Sequence, residues 1–369
     1  MNVPLLDLRQ QYATIKDEVR AAIDAVCDAQ ALILGPHVES FEKKLADYSG
    51  TKHAIGVSSG TDALLCGLMS LDLKPGDEVI VPAFTFFATA GCVARVGATP
   101  VFVDIDPKTF NIDVTKIAKA ITGRTRAILP VDLFGQSCAI DVINKIACEH
   151  ELLVIEDAAQ AVGAKRHTHP ACSQAWMGCL SFYPTKNLGA FGDAGAICCN
   201  DDALAEKLRK LRVHGSGHTY YHEMVGGMFR LAAIQAAVLE VKLKYLDTWH
   251  DARRRNAAIY NRILKDCPGV ATPFIEPGNE SIYNQYVVRI EHGRRDEVKK
   301  ALQSAGVGSA IYYPLGLHLQ ECFKYLGHPA GDFPETERAT REVLALPVYP
   351  ELTPEQVTFA AQTVRTILS

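Results

Sequence analysis

The sequence has no apolar run long enough to span a bilayer, no large excess of charge of one sign, no internal repeat and no low-complexity tract. Each absence removes a class of function. A spanning helix needs about 20 consecutive apolar residues, and the N-terminal stretch Met1-Asn-Val-Pro-Leu-Leu-Asp-Leu-Arg9 has no basic region leading into such a run. The expectation is therefore a cytoplasmic protein without a membrane partner. A net charge of -4 spread over 369 residues gives no general attraction to nucleic acid or to anionic lipid. The one dense basic cluster, Arg253-Arg254-Arg255, falls inside a helical pattern and reads as a solvated face. The 11 cysteines are odd in number and irregular in spacing, so a disulfide framework is not expected. Cys66, Cys148, Cys198 and Cys199 sit in apolar stretches and read as small buried hydrophobes. No metal is expected either. His214, His218 and His222 would align on a helix that Gly215 and Gly217 make improbable, and His167-Thr-His169-Pro-Ala-Cys172 has too few ligands for a closed site.

What is present is an ordinary globular composition, 48% hydrophobic and 22% charged, in a chain longer than one simple core. From residue 54 onward, apolar strands at 54–58, 78–82, 99–105, 126–133 and 152–156 alternate with helical patterns at 61–71, 85–96, 113–121 and 140–150. Continuous apolar strands between helices predict an α/β fold with a mostly parallel sheet covered on both faces. Helices at 13–29 and 37–48 precede this unit, and short strands at 179–183 and 194–199 complete it. A helix follows to about Arg212, then a polar loop from His214 to Met228, then a long helix with a break between Leu231 and Leu264. The remainder predicts strands at 286–290 and 309–312 and helices at 296–305, 335–345 and 354–368. Pro268, Pro273 and Pro277 mark the change of pattern. The expected organisation is an N-terminal arm with a large domain over 1–250 and a smaller C-terminal α/β domain over 251–369.

The chemistry gathers around Ser181-Phe-Tyr-Pro-Thr-Lys186-Asn-Leu-Gly-Ala-Phe-Gly-Asp193. Lys186 sits on an irregular, glycine-rich turn after an apolar strand, where backbone fixes the amine. Partly desolvated, such an amine loses its proton and attacks a carbonyl. Upstream, Leu152-Leu-Val-Ile-Glu-Asp157-Ala-Ala-Gln160 is a buried-type strand whose polar residues fall at its C-terminal end, where open α/β sheets bind ligands. Ser58-Ser59-Gly60-Thr61 joins a strand to a helix start and offers free N–H groups and hydroxyls to an anion. Amine, carboxylate and phosphate cradle match the three handles of pyridoxal 5'-phosphate: Lys186 for the aldehyde, Asp157 for the ring nitrogen, and Gly60, Thr61 and Ser181 for the phosphate. As bland alternatives, Asp157 is a helix cap, Gln160 a polar turn residue and Phe86 a core aromatic.

Together with Pro82-Ala-Phe-Thr-Phe86-Phe-Ala-Thr and Tyr221-His-Glu-Met-Val-Gly-Gly-Met-Phe-Arg230, these segments resemble the DegT/StrS sugar aminotransferases, fold-type I pyridoxal-phosphate enzymes. The resemblance runs from Val3 to Leu352. It implies an aspartate-aminotransferase-like fold and a transaminase that moves an amino group from glutamate to a keto group of a nucleotide-linked sugar. The alternatives are a cyclitol aminotransferase, another pyridoxal-phosphate reaction on a sugar, or a regulatory relative without turnover. Lys186 rather than histidine favours transamination over dehydration. By the same resemblance Lys186 and Asp157 are catalytic, Ser59 belongs to the phosphate turn, Phe86 stacks on the cofactor, Gln160 lies near its ring oxygen, and Arg230, Tyr313 and His318 approach substrate. A homodimer with shared sites is implied, the 214–230 loop reaching the neighbouring subunit. Relatives commonly carry Asn and Asp where this chain has Met228 and Ala232, which implies a weaker hold on the cofactor phosphate.

Overall fold

The structure is a computed structural model that describes residues 1–218 and 220–368. Thr219, within the 214–228 loop, and Ser369 lie outside the described residues. The helices are α1 (Leu8–Ala29), α2 (Pro36–Ser49), α3 (Gly60–Met69), α4 (Ala88–Arg95), α5 (Val114–Ala120), α6 (Ile140–Glu149), α7 (Asp202–Leu211), α8 (Ala233–Leu243), α9 (Leu246–Leu264), α10 (Arg295–Ser304), α11 (Pro334–Glu342) and α12 (Pro354–Leu368). The strands are β1 (His53–Val57), β2 (Glu78–Pro82), β3 (Thr99–Val103), β4 (Thr125–Ile128), β5 (Leu153–Asp157), β6 (Lys165–Arg166), β7 (His169–Pro170), β8 (Met177–Ser181), β9 (Gly195–Cys199), β10 (Ser216–His218), β11 (Tyr221–His222), β12 (Val270–Ala271), β13 (Asn279–Glu280), β14 (Tyr286–Ile290) and β15 (Val343–Leu346).

The main sheet has seven strands in the order β1-β9-β8-β5-β4-β2-β3. The pairs among β8, β5, β4, β2 and β3 are parallel, while β9 runs antiparallel to both β1 and β8. Their residues are buried on both faces, β2 and β9 throughout, which is why they read as unbroken apolar runs. The C-terminal ends of β1, β2, β5 and β8 and the start of β9 all meet one edge of the sheet. Two apolar clusters hold the sheet from its opposite faces, one with α1, α2 and α8 and the other with α3, α4 and α7.

A second sheet, β12-β14-β15, is antiparallel and packs with α9, α10 and α12 around Tyr260, Tyr286, Leu302 and Val357. Helix α9 serves both layers: Leu246 and Trp249 belong to the core of the main sheet, whereas Ala257, Tyr260 and Leu264 belong to that of the small one.

Several expectations from the pattern are corrected. The helix expected over 335–345 stops at Glu342, because Val343–Leu346 pairs with β14 as strand β15. The strand expected at 309–312 is only an isolated bridge, Ala310 to Ala345. The strand expected over 126–133 ends at Ile128, and the chain turns through Phe134 with φ of 60°. The 214–228 loop contains the β10–β11 hairpin. The small patch β13-β6-β7 left no periodic signal. Arg253 is 4% exposed and therefore not part of a solvated face. All the cysteines are free, as expected, but Cys148 is exposed and not buried.

Candidate active site

Lys186 lies on the connection from β8 to its antiparallel neighbour β9, at the edge where the parallel strands end. The turn closes on itself: Phe182 N–H donates to Ala194 O (2.8 Å), Lys186 N–H to Tyr183 O (2.8 Å) and Ala190 N–H to Phe182 O (2.8 Å). Gly189 is required there, since a Cβ would stand 2.3 Å from the Pro184 carbonyl oxygen. Asn187 Nδ2 donates to Ile282 O (3.1 Å) and Lys242 Nζ to Gly189 O (2.5 Å), anchoring the turn to two other elements. Burial pulls the Lys186 amine down to about 8, against the opposing charge of Asp157. The lowering enlarges the fraction of the amine in its unprotonated, nucleophilic form.

Asp157, 4% exposed, ends β5. Its Oδ2 accepts from the Thr89 hydroxyl (2.8 Å) and its Oδ1 from Ala159 N–H (3.2 Å). Burial pushes the carboxyl up from its usual range, while those two donors and the Lys186 charge pull it back. Thr89, which is fully buried and also meets Thr85 at 3.2 Å, holds the Asp157 carboxylate and was not singled out from the sequence. Its signal was its place at the end of the Pro82–Thr89 segment, on the first turn of α4.

The anion cradle forms where β1 passes into α3. Ser59 caps that helix, its Oγ accepting from Asp62 N–H (3.0 Å), so the first N–H groups of α3 face the sheet edge. Gly60 approaches Ser181 so closely that a Cβ would lie 2.5 Å from Ser181 Cβ. Gly195 in turn leaves room for the Ser59 carbonyl, 2.4 Å from where its own Cβ would be. This close approach brings the Ser59-Gly60-Thr61 turn and Ser181 into one wall.

Lys186, Asp157, Ser59, Gly60, Thr61 and Ser181 line a single cavity of about 670 Å³, together with Phe86, Gln160, Thr185, Gln285, Tyr312 and Tyr313. Gln160 Oε1 accepts from Phe134 N–H (2.7 Å), and its Nε2 donates to Tyr313 OH (3.2 Å). Phe86 is 55% exposed at the mouth, its ring 6.3 Å from that of Tyr313. Of the residues singled out from sequence, Ser59, Gly60, Thr61, Phe86, Asp157, Gln160, Ser181, Lys186 and Tyr313 meet here.

Two do not. His318 is 1% exposed, its ring 4.6 Å from Phe333 and its Nε2 3.3 Å from Glu337 Oε1, outside the cavity lining. Arg230 is bridged through its backbone to Val57, yet its side chain borders a separate surface depression of about 710 Å³ with His218, Tyr220, Tyr221 and His222. No group of three or more His, Cys, Asp or Glu arranged for a metal occurs among the described residues.

A depressed lysine amine, a buried carboxylate and a helix-start cradle on one edge of a mostly parallel sheet are the handles of a pyridoxal-phosphate enzyme of fold type I. The residues fit that cofactor: the amine suits its aldehyde, the carboxylate its ring nitrogen, and the Gly60–Ser181 wall a phosphate. The chain belongs to the DegT/DnrJ/EryC1/StrS aminotransferase family, whose profile matches residues 13–365. It is 48% identical to the pleiotropic regulatory protein of Geobacillus stearothermophilus, over 98% of this chain and 97% of that one. It is 43% identical to the UDP-2-acetamido-2-deoxy-3-oxo-D-glucuronate aminotransferase of Pseudomonas aeruginosa, over 95% and 96%. The crystal structure of S. venezuelae DesV in complex with a ketimine intermediate superposes with a TM-score of 0.97 at 41% identity, covering 99% of this chain and 98% of that one.

Proposed function

We propose that this protein transfers an amino group from glutamate to a keto group of a nucleotide-linked sugar, in a homodimer within the cytoplasm. The observation that carries the reading is the convergence of Lys186, Asp157 and the Ser59–Thr61 turn on one cavity. Sugar transaminase names recur among relatives, including the dTDP-3-amino-3,4,6-trideoxy-alpha-D-glucose transaminase of Streptomyces venezuelae, 42% identical over 95% of this chain.

Pyridoxal phosphate supplies an electron sink for the carbanion formed when the donor loses its α-proton. Asp157 holds a proton on the ring nitrogen, the added positive charge favouring its ionised form. The Ser59–Thr61 turn and Ser181 bind the phosphate, with α3 directing its positive end toward it. Phe86 and Gln160, both in the cavity wall, would contact the ring. Lys186 Nζ would hold the aldehyde of that cofactor, and the same amine would carry the proton at the donor α-carbon. Arg230 and Tyr313 approach substrate, with Arg230 serving a neighbouring subunit.

The dimer reading draws on exposed apolar side chains that a subunit contact would cover: Ile33, Tyr220, Tyr221, Val225 and Met228 are 62%, 90%, 74%, 87% and 64% exposed. We also propose a large unit over 1–250 and a small one over 251–369, joined through α9.

Borohydride reduction of the cofactor-loaded protein followed by peptide mapping tests the assignment. A pyridoxyl adduct on Lys186 is expected, and one on another lysine overturns it. Bleaching of the cofactor's yellow colour by glutamate, and its return with 3-keto or 4-keto nucleotide sugars, tests the substrate class.

A further inference from the structure

Phe191 lies on the far side of the turn that carries Lys186, and it is held from three directions although it is 45% exposed. Gln235, on the first turn of α8, grips its backbone with both ends of one side-chain amide. Phe191 N–H donates to Gln235 Oε1 (2.8 Å), and Gln235 Nε2 donates to Phe191 O (3.0 Å). On the ring side, Tyr12 of α1 meets Phe191 edge-on with the centroids 5.5 Å apart, and Lys242 Nζ lies 5.9 Å from the Phe191 ring centroid. Lys242 follows Gln235 by two helical turns, so both residues point from one face of α8. Its Nζ also donates to the Gly189 carbonyl. One helix face therefore holds the turn at residues 189 and 191 together.

Backbone carries this grip to Lys186. Ala190, next to Phe191, donates its N–H to Phe182 O (2.8 Å). Gly189 abuts the Pro184 carbonyl, 2.3 Å from where a Cβ would stand. Residues 189–191 are thus packed on the 182–184 arm that leads into Lys186. Gly192, whose φ of 149° suits glycine alone, leaves the space that the amide occupies, since a Cβ there would stand 3.2 Å from Gln235 Nε2. An irregular turn still needs partners for its peptide groups, and at Phe191 the Gln235 amide supplies both, as a neighbouring strand would.

We propose that Gln235 is a positioning residue for the Lys186 amine: its amide fixes Phe191 and, through the Ala190–Phe182 bond and the Gly189–Pro184 contact, the turn that presents the amine to the cavity. The inference rests on Lys186 being the reacting amine, and it goes beyond that reading by naming a residue outside the cavity wall. Energetics separate positioning from folding. Gln235 is half-buried, and hydrogen bonds between neutral groups near water contribute little to overall stability. A misplacement of about 1 Å in a reacting group, by contrast, costs on the order of 100-fold in rate.

The experiment compares the full-length wild type with Gln235→Met and Gln235→Glu. Gln235→Met keeps the length of the side chain and removes both bonds. Gln235→Glu keeps the acceptor for Phe191 N–H but, when ionised, sets a carboxylate against Phe191 O; its protonated form restores a donor. Hydrogen exchange across 187–191 is measured on the holoenzyme by mass spectrometry. The cofactor is then removed by dialysis against hydroxylamine, pyridoxal phosphate is added back, and the return of the yellow colour is timed. Gln235→Met should slow that return about tenfold and speed exchange across 187–191, with the unfolding midpoint within about 2 °C of wild type. Gln235→Glu should match Gln235→Met near about pH 8 and recover toward wild type near about pH 5, as the pH approaches the ordinary glutamic acid range, each rate being taken as a ratio to wild type at the same pH. Wild-type rates in both variants overturn the proposal, as does a Gln235→Glu ratio that stays flat with pH. Slowing that comes only with a much larger fall in the unfolding midpoint also overturns it, because Gln235 would then serve the fold alone. Faster exchange across 187–191 with the borohydride-trapped adduct on another lysine overturns the reading of Lys186 itself and leaves the grip on the turn standing.

Discussion

The sheet edge around Lys186 and the surface around Arg230 share a backbone bridge, yet they are built in opposite ways. Arg230 pairs with Val57 at the end of β1, and Ser58 N–H donates to Phe229 O at 2.8 Å. On the sheet side, strand ends, the Gly60–Ser181 contact and the closed turn over 182–194 fix every group within one chain. On the loop side, Tyr220, Tyr221, Val225 and Met228 stand largely in solvent, and the Arg230 side chain faces an open depression. The groups on the strand termini are positioned by contacts within the chain. The loop leaves its apolar and cationic groups exposed in the single chain.

By that contrast, substitutions at the reacting groups of the sheet side have the largest effect on the chemistry, and those in the supporting turn or on the loop side change affinity or stability. Lys186→Ala is expected to abolish transamination and the borohydride-trapped adduct while cofactor still binds through the phosphate turn, which dialysis and absorbance measure. Residual turnover would mean that another amine serves. Asp157→Asn should lower the donor half-reaction on the order of 10²–10³-fold, the usual loss when one preorganised electrostatic partner is removed. Stopped-flow absorbance reads it, and a change below tenfold would break the role given to β5.

Gly60→Ala places a Cβ within 2.5 Å of Ser181 Cβ and 3.1 Å of its Cα. Overpacking of this kind costs about 1–3 kcal/mol, seen as a lower unfolding midpoint and weaker cofactor retention. Ser181→Gly in the same chain should relieve part of it. On the loop side, Met228→Asn restores a donor that methionine lacks and should tighten cofactor binding about tenfold, the value of one charge-assisted hydrogen bond. A gain that persists in a demonstrably monomeric preparation would contradict a role across the interface. The smallest effect is expected at Ala232, the exposed N-cap of α8, which makes no side-chain capping bond. Ala232→Asp should raise stability by about 1 kcal/mol in denaturant titration.

How much of this could be read beforehand depends on how local the cause is. The strands of the main sheet were legible because burial on both faces demands an unbroken apolar run. The cavity residues were legible because a polar residue that ends such a run stands at the ligand-binding edge. Arg253 reads as one of a basic trio, although Trp249, Arg253, Asn256 and Tyr260 fall on one helical stripe, all of them buried. That stripe was the available signal. Val343–Leu346 continued a helical pattern locally and became a strand only because β14 offered an open edge. His318 is singled out by the family resemblance alone, but Phe333 and Glu337 pack against it.

The sequence by itself determined the alternation of strands and helices, the lysine on its glycine-rich turn, the carboxylate at a strand end and the cradle at a helix start. Those are consequences of local sterics, of burial periodicity and of the unpaired N–H groups at a helix start, all of which act within a few residues. Only the tertiary structure decided that Thr89 holds Asp157, that Arg253 is buried, and that Arg230 and His318 lie apart from Lys186. Those facts depend on contacts between residues distant in the chain, which form when separate elements bury their surfaces against one another.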